Sequence, residues 1–243
     1  MRLDVFLFEK CFFSSREKAK QAVKSGDISV NGMIALKASQ DVSEPDRVEV
    51  VKQTNPFVGR GGLKLQGAIE HFKLDLNGCT ALDIGASTGG FTDCMLKTGV
   101  KLVYACDVGR DQLVESLKQD KRVVSLENTD IRVLAADPAA YGIDFKFDFI
   151  AVDVSFISIT KILPCLKSLL SANAILICLI KPQFELNAKK VGKNGVVKDT
   201  AVQRQVCENI REFALNAGYC VKGIIESPIK GGDGNREFLM CLN

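Results

Sequence analysis

The 243-residue chain is 47% hydrophobic and 25% charged with a net charge of +3, the balance of an ordinary globular protein with enough apolar residues for a sizeable core. Its longest unbroken apolar run, Ala174 to Ile180, falls far short of the about 20 residues that span a bilayer, and Asp4 and Glu9 interrupt any leader-like stretch. Nine cysteines without a C-x-x-C pair and a single histidine, His71, argue against a disulfide framework, a metal site or a Ser-His-Asp triad, so a cytoplasmic, metal-free protein is expected.

Residues 1–64 hold 11 Lys+Arg against 8 Asp+Glu, whereas the remainder is balanced at 21 of each. The positive excess belongs to the first quarter of the chain and points to an acidic partner there, such as nucleic acid. Residues 1–52 read as a small α/β domain. Arg2 to Cys11 predicts a short helix, and Ser14-Ser15-Arg16-Glu17 predicts a capping box for a second, with Ser14 as cap and Glu17 reaching back. On that second helix Ala19, Ala22 and Val23 mark a buried face and Gly26 a terminator. Arg16, Lys20 and Lys24 stack at i, i+4, i+8, either as a solvated face or as a row of phosphate contacts. Ile28 to Val30, the turn Asn31-Gly32 and the run Arg47 to Val51 predict a small sheet. Residues 53–62, with Asn55-Pro56 and three glycines, read as a linker.

A helix expected over Gly62 to Phe72 leads into alternating strands and helices. Strands are expected at 80–84, 102–107, 122–126, 147–153 and 174–180, and helices at 89–98, 110–118, 159–170 and 200–217. Tyr219 to Ser227 and Glu237 to Leu242 predict a closing hairpin. The fold class is therefore α/β: a Rossmann-like, mostly parallel seven-stranded sheet with a C-terminal antiparallel hairpin over residues 63–243, the methyltransferase arrangement, behind the small domain.

The first of those strands runs into Gly85-Ala86-Ser87-Thr88-Gly89-Gly90-Phe91, a glycine-rich turn opening a helix. Such a turn suits a nucleotide-like ligand. A dinucleotide site would call for G-x-G-x-x-G, and Asp83 just ahead of the loop would repel a pyrophosphate. The same carboxylate suits the cationic amino and sulfonium groups of S-adenosylmethionine, which is the expected cofactor. Asp107, after the second strand, is placed to bind ribose hydroxyls, and Asp130, after the third, to accept from an adenine amino group. Each alone could equally cap a helix; placed after successive strands they favour the ligand.

Asp153, Lys181 and Glu237 sit where strands end or begin at the edge that should carry chemistry. An ionisable group there needs a partner, and an Asp153–Lys181 ion pair is the plain alternative to catalysis. Amino methylation of nucleic acid favours an N/D-P-P-Y/F motif, whereas this chain has Asp153-Val154-Ser155-Phe156; cytosine C5 methylation needs a thiolate, and neither Cys165 nor Cys178 sits at a strand end. A lysine between carboxylates suits a hydroxyl acceptor.

Two resemblances add to this reading. Arg2-Leu3-Asp4, Ser15-Arg16-Glu17-Lys18-Ala19, Gly26 and Val30-Asn31-Gly32 resemble the small RNA-binding domain first known from ribosomal protein S-four, which implies RNA contacts at Arg2, Arg16, Lys20 and Lys24. Gly61-Gly62-Leu63-Lys64-Leu65, Phe91-Thr92-Asp93, Val152 to Ser158, Ile180 to Glu185, Gly192 to Val197 and Ser227 to Gly231 resemble the TlyA family in order along the whole chain. That resemblance implies an FtsJ-like ribose 2′-O-methyltransferase acting on cytidines of ribosomal RNA, with members of about this length favouring the large subunit. It implies a catalytic set of Lys64, Asp153, Lys181 and Glu237, and adds Arg60 as an RNA contact. Gly59 stands where many members carry serine. Lys181 would act as the general base or only steer the hydroxyl, Asp153 and Glu237 would orient it, and Lys64 would help hold the nucleotide. The alternatives are a membrane-active haemolysin, a label the family has also carried, and an RNA-binding module with an inactive cofactor domain.

Overall fold

Strict alternation along the apolar strands sends successive side chains to opposite faces of one sheet, and this gives the larger part of the chain its layers. The computed structural model describes the chain except residues 14, 25, 36, 52–54, 187–190, 193 and 194 and the side chain of Lys24. It falls into two units, Met1–Asn55 and Pro56–Asn243.

In the first unit, helices α1 (Leu3–Glu9) and α2 (Arg16–Lys24) pack with a three-stranded antiparallel sheet of order β2-β1-β3, formed by β1 (Ile28–Val30), β2 (Met33–Ile34) and β3 (Val48–Val50). Leu3, Leu7, Ala19, Ala22, Val23, Ile28 and Val30 are buried together. Asn31 and Gly32 both take positive φ, 52° and 78°, as a two-residue hairpin turn requires. The cap expected at Ser14 lies outside the described residues. Ser15 Oγ accepts the Lys18 amide at 3.2 Å, and Glu17 pairs with Lys20 at 3.2 Å instead of reaching back.

The second unit opens with α3 (Gly61–Phe72) and then builds β4 (Thr80–Ile84), α4 (Gly90–Lys97), β5 (Leu102–Cys106), α5 (Glu115–Lys118), β6 (Val123–Leu126), α6 (Ile131–Ala136) and β7 (Phe147–Val152). There follow α7 (Leu163–Leu166), β8 (Leu170–Ile180), α8 (Pro182–Glu185), α9 (Thr200–Asn216), β9 (Val221–Glu226) and β10 (Phe238–Leu242). Among the described residues the sheet has seven strands in the order β6-β5-β4-β7-β8-β10-β9. β4 to β8 pair in parallel, and β10 runs antiparallel between β8 and β9. Leu82, Ile84, Ile150, Val152, Leu176 and Cys178 face one layer of the core; Ala81, Val103, Phe149, Ala151, Ile177 and Leu179 face the other.

The expected fold class is present, with three local departures. The helix expected over 110–118 is only α5, because residues 109–114 run as a loop. The one expected over 159–170 is broken into a 3-10 turn, α7 and a second 3-10 turn. Pro164 has no amide to give and sits in the first turn of α7, which limits helix on its N-terminal side. β8 also starts at Leu170, earlier than expected, through pairing of Leu170 with Phe147. No helix of the described residues is long and apolar enough to cross a membrane.

Candidate active site

β4 lies at the switch point of the sheet, with β5 on one side and β7 on the other, and the loop after it is where open α/β sheets bind ligands. Gly85 turns the chain there with φ 83°, and a Cβ on it would lie 2.3 Å from the Asp153 carbonyl oxygen. Gly89, at φ 98°, precedes α4, and a Cβ there would lie 2.2 Å from Leu117 Cδ1. Both positions hold the loop close to its neighbours in a way only glycine permits.

Two cavities open at this loop. One, of about 420 Å³, is lined by Gly85, Ser87, Asp107, Val108, Gln112, Asp130, Ile131 and Phe156 among others. The second, of about 240 Å³, is lined by Gly59, Arg60, Gly61, Lys64, Gly85, Ala86, Ser87, Thr88, Gly90, Phe91, Ile229, Lys230 and Gly232. Gly85, Ser87 and Asp153 line both. Together they offer an apolar wall, backbone approach at glycines and a few carboxylates, which fits an adenosyl group joined to an amino acid. Asp107 accepts the amides of Ser87 and Gly109, each at 2.7 Å, so it ties the cofactor loop to the neighbouring strand end. Asp130 caps α6 by accepting the Arg132 amide at 2.9 Å and pairs with the Arg132 guanidinium at 2.6 Å. Its carboxylate is thus committed to the helix even though the residue borders the larger cavity.

Asp83 lies beneath the loop. It lines neither cavity; its side chain is fully buried, and Thr92 Oγ1 donates to its Oδ2 at 2.6 Å. Alternation along β4 turns it beneath the loop, and its Oδ1 has no partner among the described residues. Burial, with Asp153 nearby adding to it, pushes its carboxyl up to about 7. The folded chain therefore holds this proton more tightly than the unfolded chain, whose ordinary value is 3.8. The stability it contributes is full below that value and is lost as pH rises towards 7. Asp83→Asn is expected to flatten the fall in Tm across that window, and melting curves with the same slope in both proteins would refute the assignment.

The four candidate catalytic side chains meet. β7 and β8 are parallel neighbours, and Phe238 of β10 pairs with Ile180 of β8, so Asp153, Lys181 and Glu237 arrive at one edge of the sheet. Lys64 comes from α3, whose N-terminal turn packs close to the cofactor loop: a Cβ on Gly61 would lie 3.4 Å from Phe91. Lys64 Nζ is 2.6 Å from Glu237 Oε2 and 3.9 Å from Asp153 Oδ2; Lys181 Nζ is 2.6 Å from Asp153 Oδ1. Lys64 and Lys181 are each only 8% exposed and Glu237 3%. Two cations alternating with two carboxylates compensate one another where any one alone would be costly to bury.

Reading residues one by one missed several neighbours. Ser155 Oγ accepts from Lys181 at 2.9 Å. Phe156 has positive φ, 64°, and is 91% exposed beside Phe184, their ring centroids 5.0 Å apart. Glu185 accepts the Ile159 amide at 3.0 Å and the Ser158 hydroxyl, bracing the loop that carries Phe156. Phe156, an aromatic next to Asp153 in a loop, was the available signal. The others depend on contacts made only in the fold.

The family model for FtsJ-like methyltransferases matches residues 57–243, and that for the S4 domain matches residues 1–48. YqxC of Bacillus subtilis, named for rRNA methyl transfer, is 42% identical over 242 residues, covering 100% of this chain and 85% of its own. The 16S/23S rRNA (cytidine-2′-O)-methyltransferase TlyA of Mycobacterium tuberculosis is 37% identical over 242 residues, covering 99% of this chain and 89% of its own. The chain belongs to the TlyA family. A solved Streptococcus thermophilus structure, named as a hemolysin, is 40% identical with a TM-score of 0.78, covering 100% of this chain and 87% of that one. S-adenosylmethionine is accordingly the cofactor of this TlyA-family fold.

In the S4 domain of this TlyA-family chain, the basic residues singled out for RNA carry structural duties as well. Asp4 is fully buried and takes ion pairs from Arg2 and Arg16, each at 2.9 Å, which hold its carboxyl down at about 2. Both guanidinium groups stay about half exposed, with donors left over. Lys20 pairs with Glu17, and the Lys24 side chain lies outside the described residues. Arg60 is exposed and borders the smaller cavity.

Proposed function

We propose that the chain transfers a methyl group from S-adenosylmethionine to a ribose 2′-hydroxyl of ribosomal RNA in the cytoplasm, with a cytidine of the large-subunit RNA as the first acceptor to test. The observation that carries the reading is the run of ion pairs Glu237–Lys64–Asp153–Lys181, with Asp153 where the two cavities meet. A ribose hydroxyl is a weak nucleophile near neutral pH; it reacts when held in line, kept from water and relieved of its proton. Bound across the two cavities, S-adenosylmethionine supplies an electrophilic methyl carbon on a cationic sulfur. Gly85 to Phe91 would hold it by close backbone approach, and Asp107 by accepting from ribose hydroxyls.

As arranged, Lys181 Nζ lies against Asp153 and donates to Ser155. It positions the acceptor oxygen, and the proton released as the oxygen–carbon bond forms passes to the Asp153–Lys181 pair. Lys64, anchored by Glu237, keeps a second cation beside the acceptor. Phe156 offers a ring face on which the target base stacks. Arg60 and Lys230, both exposed on the smaller cavity's wall, are placed for the flanking phosphates. Arg2, Arg16, Lys20 and Lys24 of the S4 domain add further phosphate contacts.

The test is methylation of purified ribosomal subunits followed by mapping of ribose methylation. Wild type is expected to mark a 2′-hydroxyl of large-subunit RNA. Phe156→Ala should raise KM for the subunit about tenfold, the scale of one lost base–aromatic stack. Methyl groups on bases or on protein would overturn the reaction, and marks confined to the small subunit would overturn the acceptor. Dye release from phospholipid vesicles without methyl transfer would instead support the membrane-active alternative.

A further inference from the structure

Residues 107–114 border the larger cavity through Asp107, Val108 and Gln112, yet the stretch from Gly109 to Val114 has no helix or strand to hold it. A loop of this kind needs partners for its amides. Two of them, Gln112 at 2.8 Å and Leu113 at 3.1 Å, donate to the same oxygen, Glu127 Oε1. The other oxygen, Glu127 Oε2, takes the Lys118 ammonium of α5 at 2.9 Å. Glu127 follows directly on β6 and stays mostly covered, its side chain 17% exposed. One carboxylate thus ties the end of the edge strand to the later part of the segment beside the cavity and to α5.

The same segment also reaches the glycine loop from behind. Leu113 and Leu117 are 5% exposed, and a Cβ on Gly89 would lie 2.8 Å from Leu113 Cδ1 and 2.2 Å from Leu117 Cδ1. Val114 donates its amide to the Thr88 carbonyl at 3.4 Å. Next to the anchor, Asn128 and Thr129 donate their amides to the carbonyls of Gly109 and Asp107, at 2.8 and 2.9 Å. Any slack at Glu127 would therefore be felt at Gln112 in the cavity wall and at Gly89 in the cofactor loop, both without contact between Glu127 and a ligand.

We propose that Glu127 is a positioning residue for the cofactor: it fixes the 109–114 segment and, through Leu113 and Leu117, the shape of the Gly85–Gly90 loop, and so sets affinity for S-adenosylmethionine and not the rate of methyl transfer. The inference rests on the cavity being the S-adenosylmethionine site. The experiment is calorimetric titration of the full chain with S-adenosylhomocysteine, paired with steady-state kinetics on ribosomal subunits. Glu127→Ala removes one acceptor serving two amides and a charged partner, so cofactor affinity and cofactor KM are expected to worsen about tenfold or more. At saturating cofactor, kcat and KM for RNA should stay within about twofold of wild type. Glu127→Gln, which keeps an acceptor oxygen for the amides, should restore most of the affinity.

If Glu127→Ala does not fold, Glu127→Asp carries the same expectation, because it is one methylene too short to reach the amide pair and Lys118 together. Wild-type affinity in the folded variant, or a loss borne by kcat with cofactor KM unchanged, overturns the proposal. A wild-type protein that binds no S-adenosylhomocysteine overturns the reading of the cavity instead.

Discussion

Lys181→Ala is expected to lower the rate of methyl transfer to ribosomal subunits by about a thousandfold, the middle of the range for a side chain that positions and deprotonates a reacting group. The change takes away the cation 2.6 Å from Asp153 and the donor to Ser155, leaving Asp153, among the described residues, with the more distant Lys64 at 3.9 Å. A mostly covered carboxylate, 18% exposed, also costs stability when stripped of its partner, at most about 3–5 kcal/mol, the scale of a fully buried pair. A loss of rate must therefore be separated from a loss of fold. Single-turnover measurements at saturating cofactor, on protein shown by calorimetry to bind S-adenosylhomocysteine normally, make that separation. Lys181→Arg adds a finer distinction: it keeps the charge for Asp153 but replaces a compact ammonium with a planar fork and cannot give up its proton. Retained activity in the arginine variant would assign Lys181 to steering alone, and activity within about fivefold of wild type in Lys181→Ala would remove it from the reaction.

Much of this site could be read before any coordinates. Apolar runs ending in Asp107, Asp153 and Lys181 are long and regular enough to be strands, and in a doubly wound sheet their ends share an edge. Lys64 was different. It lies in a helix ahead of the first strand of the large sheet, where no local pattern marks it, and only the likeness to a family singled it out. What could not be read was direction. Asp83 borders the glycine loop in the chain yet lies beneath it, because alternation along β4 turns it inward. Asp130 follows β6 as expected but is taken up by the N-terminus of α6 and by Arg132. The segment 109–114, expected as the start of a helix over 110–118, runs instead as a loop whose Gln112 and Leu113 amides donate to Glu127 just after β6. Such long-range acceptors leave no trace in a local pattern.

The glycine loop can be tested in the same terms, by asking what a single methyl group does at two glycines of matched backbone conformation. Gly85→Ala is expected to abolish measurable cofactor binding and to lower Tm. With φ at 83°, alanine there pays the left-handed penalty, about 1–2 kcal/mol. Its Cβ would also lie 2.3 Å from the carbonyl oxygen of Asp153, 2.9 Å from the carbonyl carbon and 3.3 Å from the amide nitrogen of Val154. These are backbone atoms, so no side chain can swing aside, and overpacking of this kind costs a further 1–3 kcal/mol or so. Relief requires the end of β4 to part from the end of β7, which displaces Asp153 from Lys181 and widens the junction of the two cavities. Gly78→Ala supplies the control: its φ is 75° and nothing lies within 4 Å of the added carbon. It should lower Tm by the conformational penalty alone and leave cofactor affinity and kcat as they were. If both variants lose stability equally and both bind S-adenosylhomocysteine, the contact between Gly85 and Asp153 has no part in shaping the site. A loss of binding confined to Gly85→Ala would tie the cofactor loop to the catalytic carboxylate through that one backbone contact.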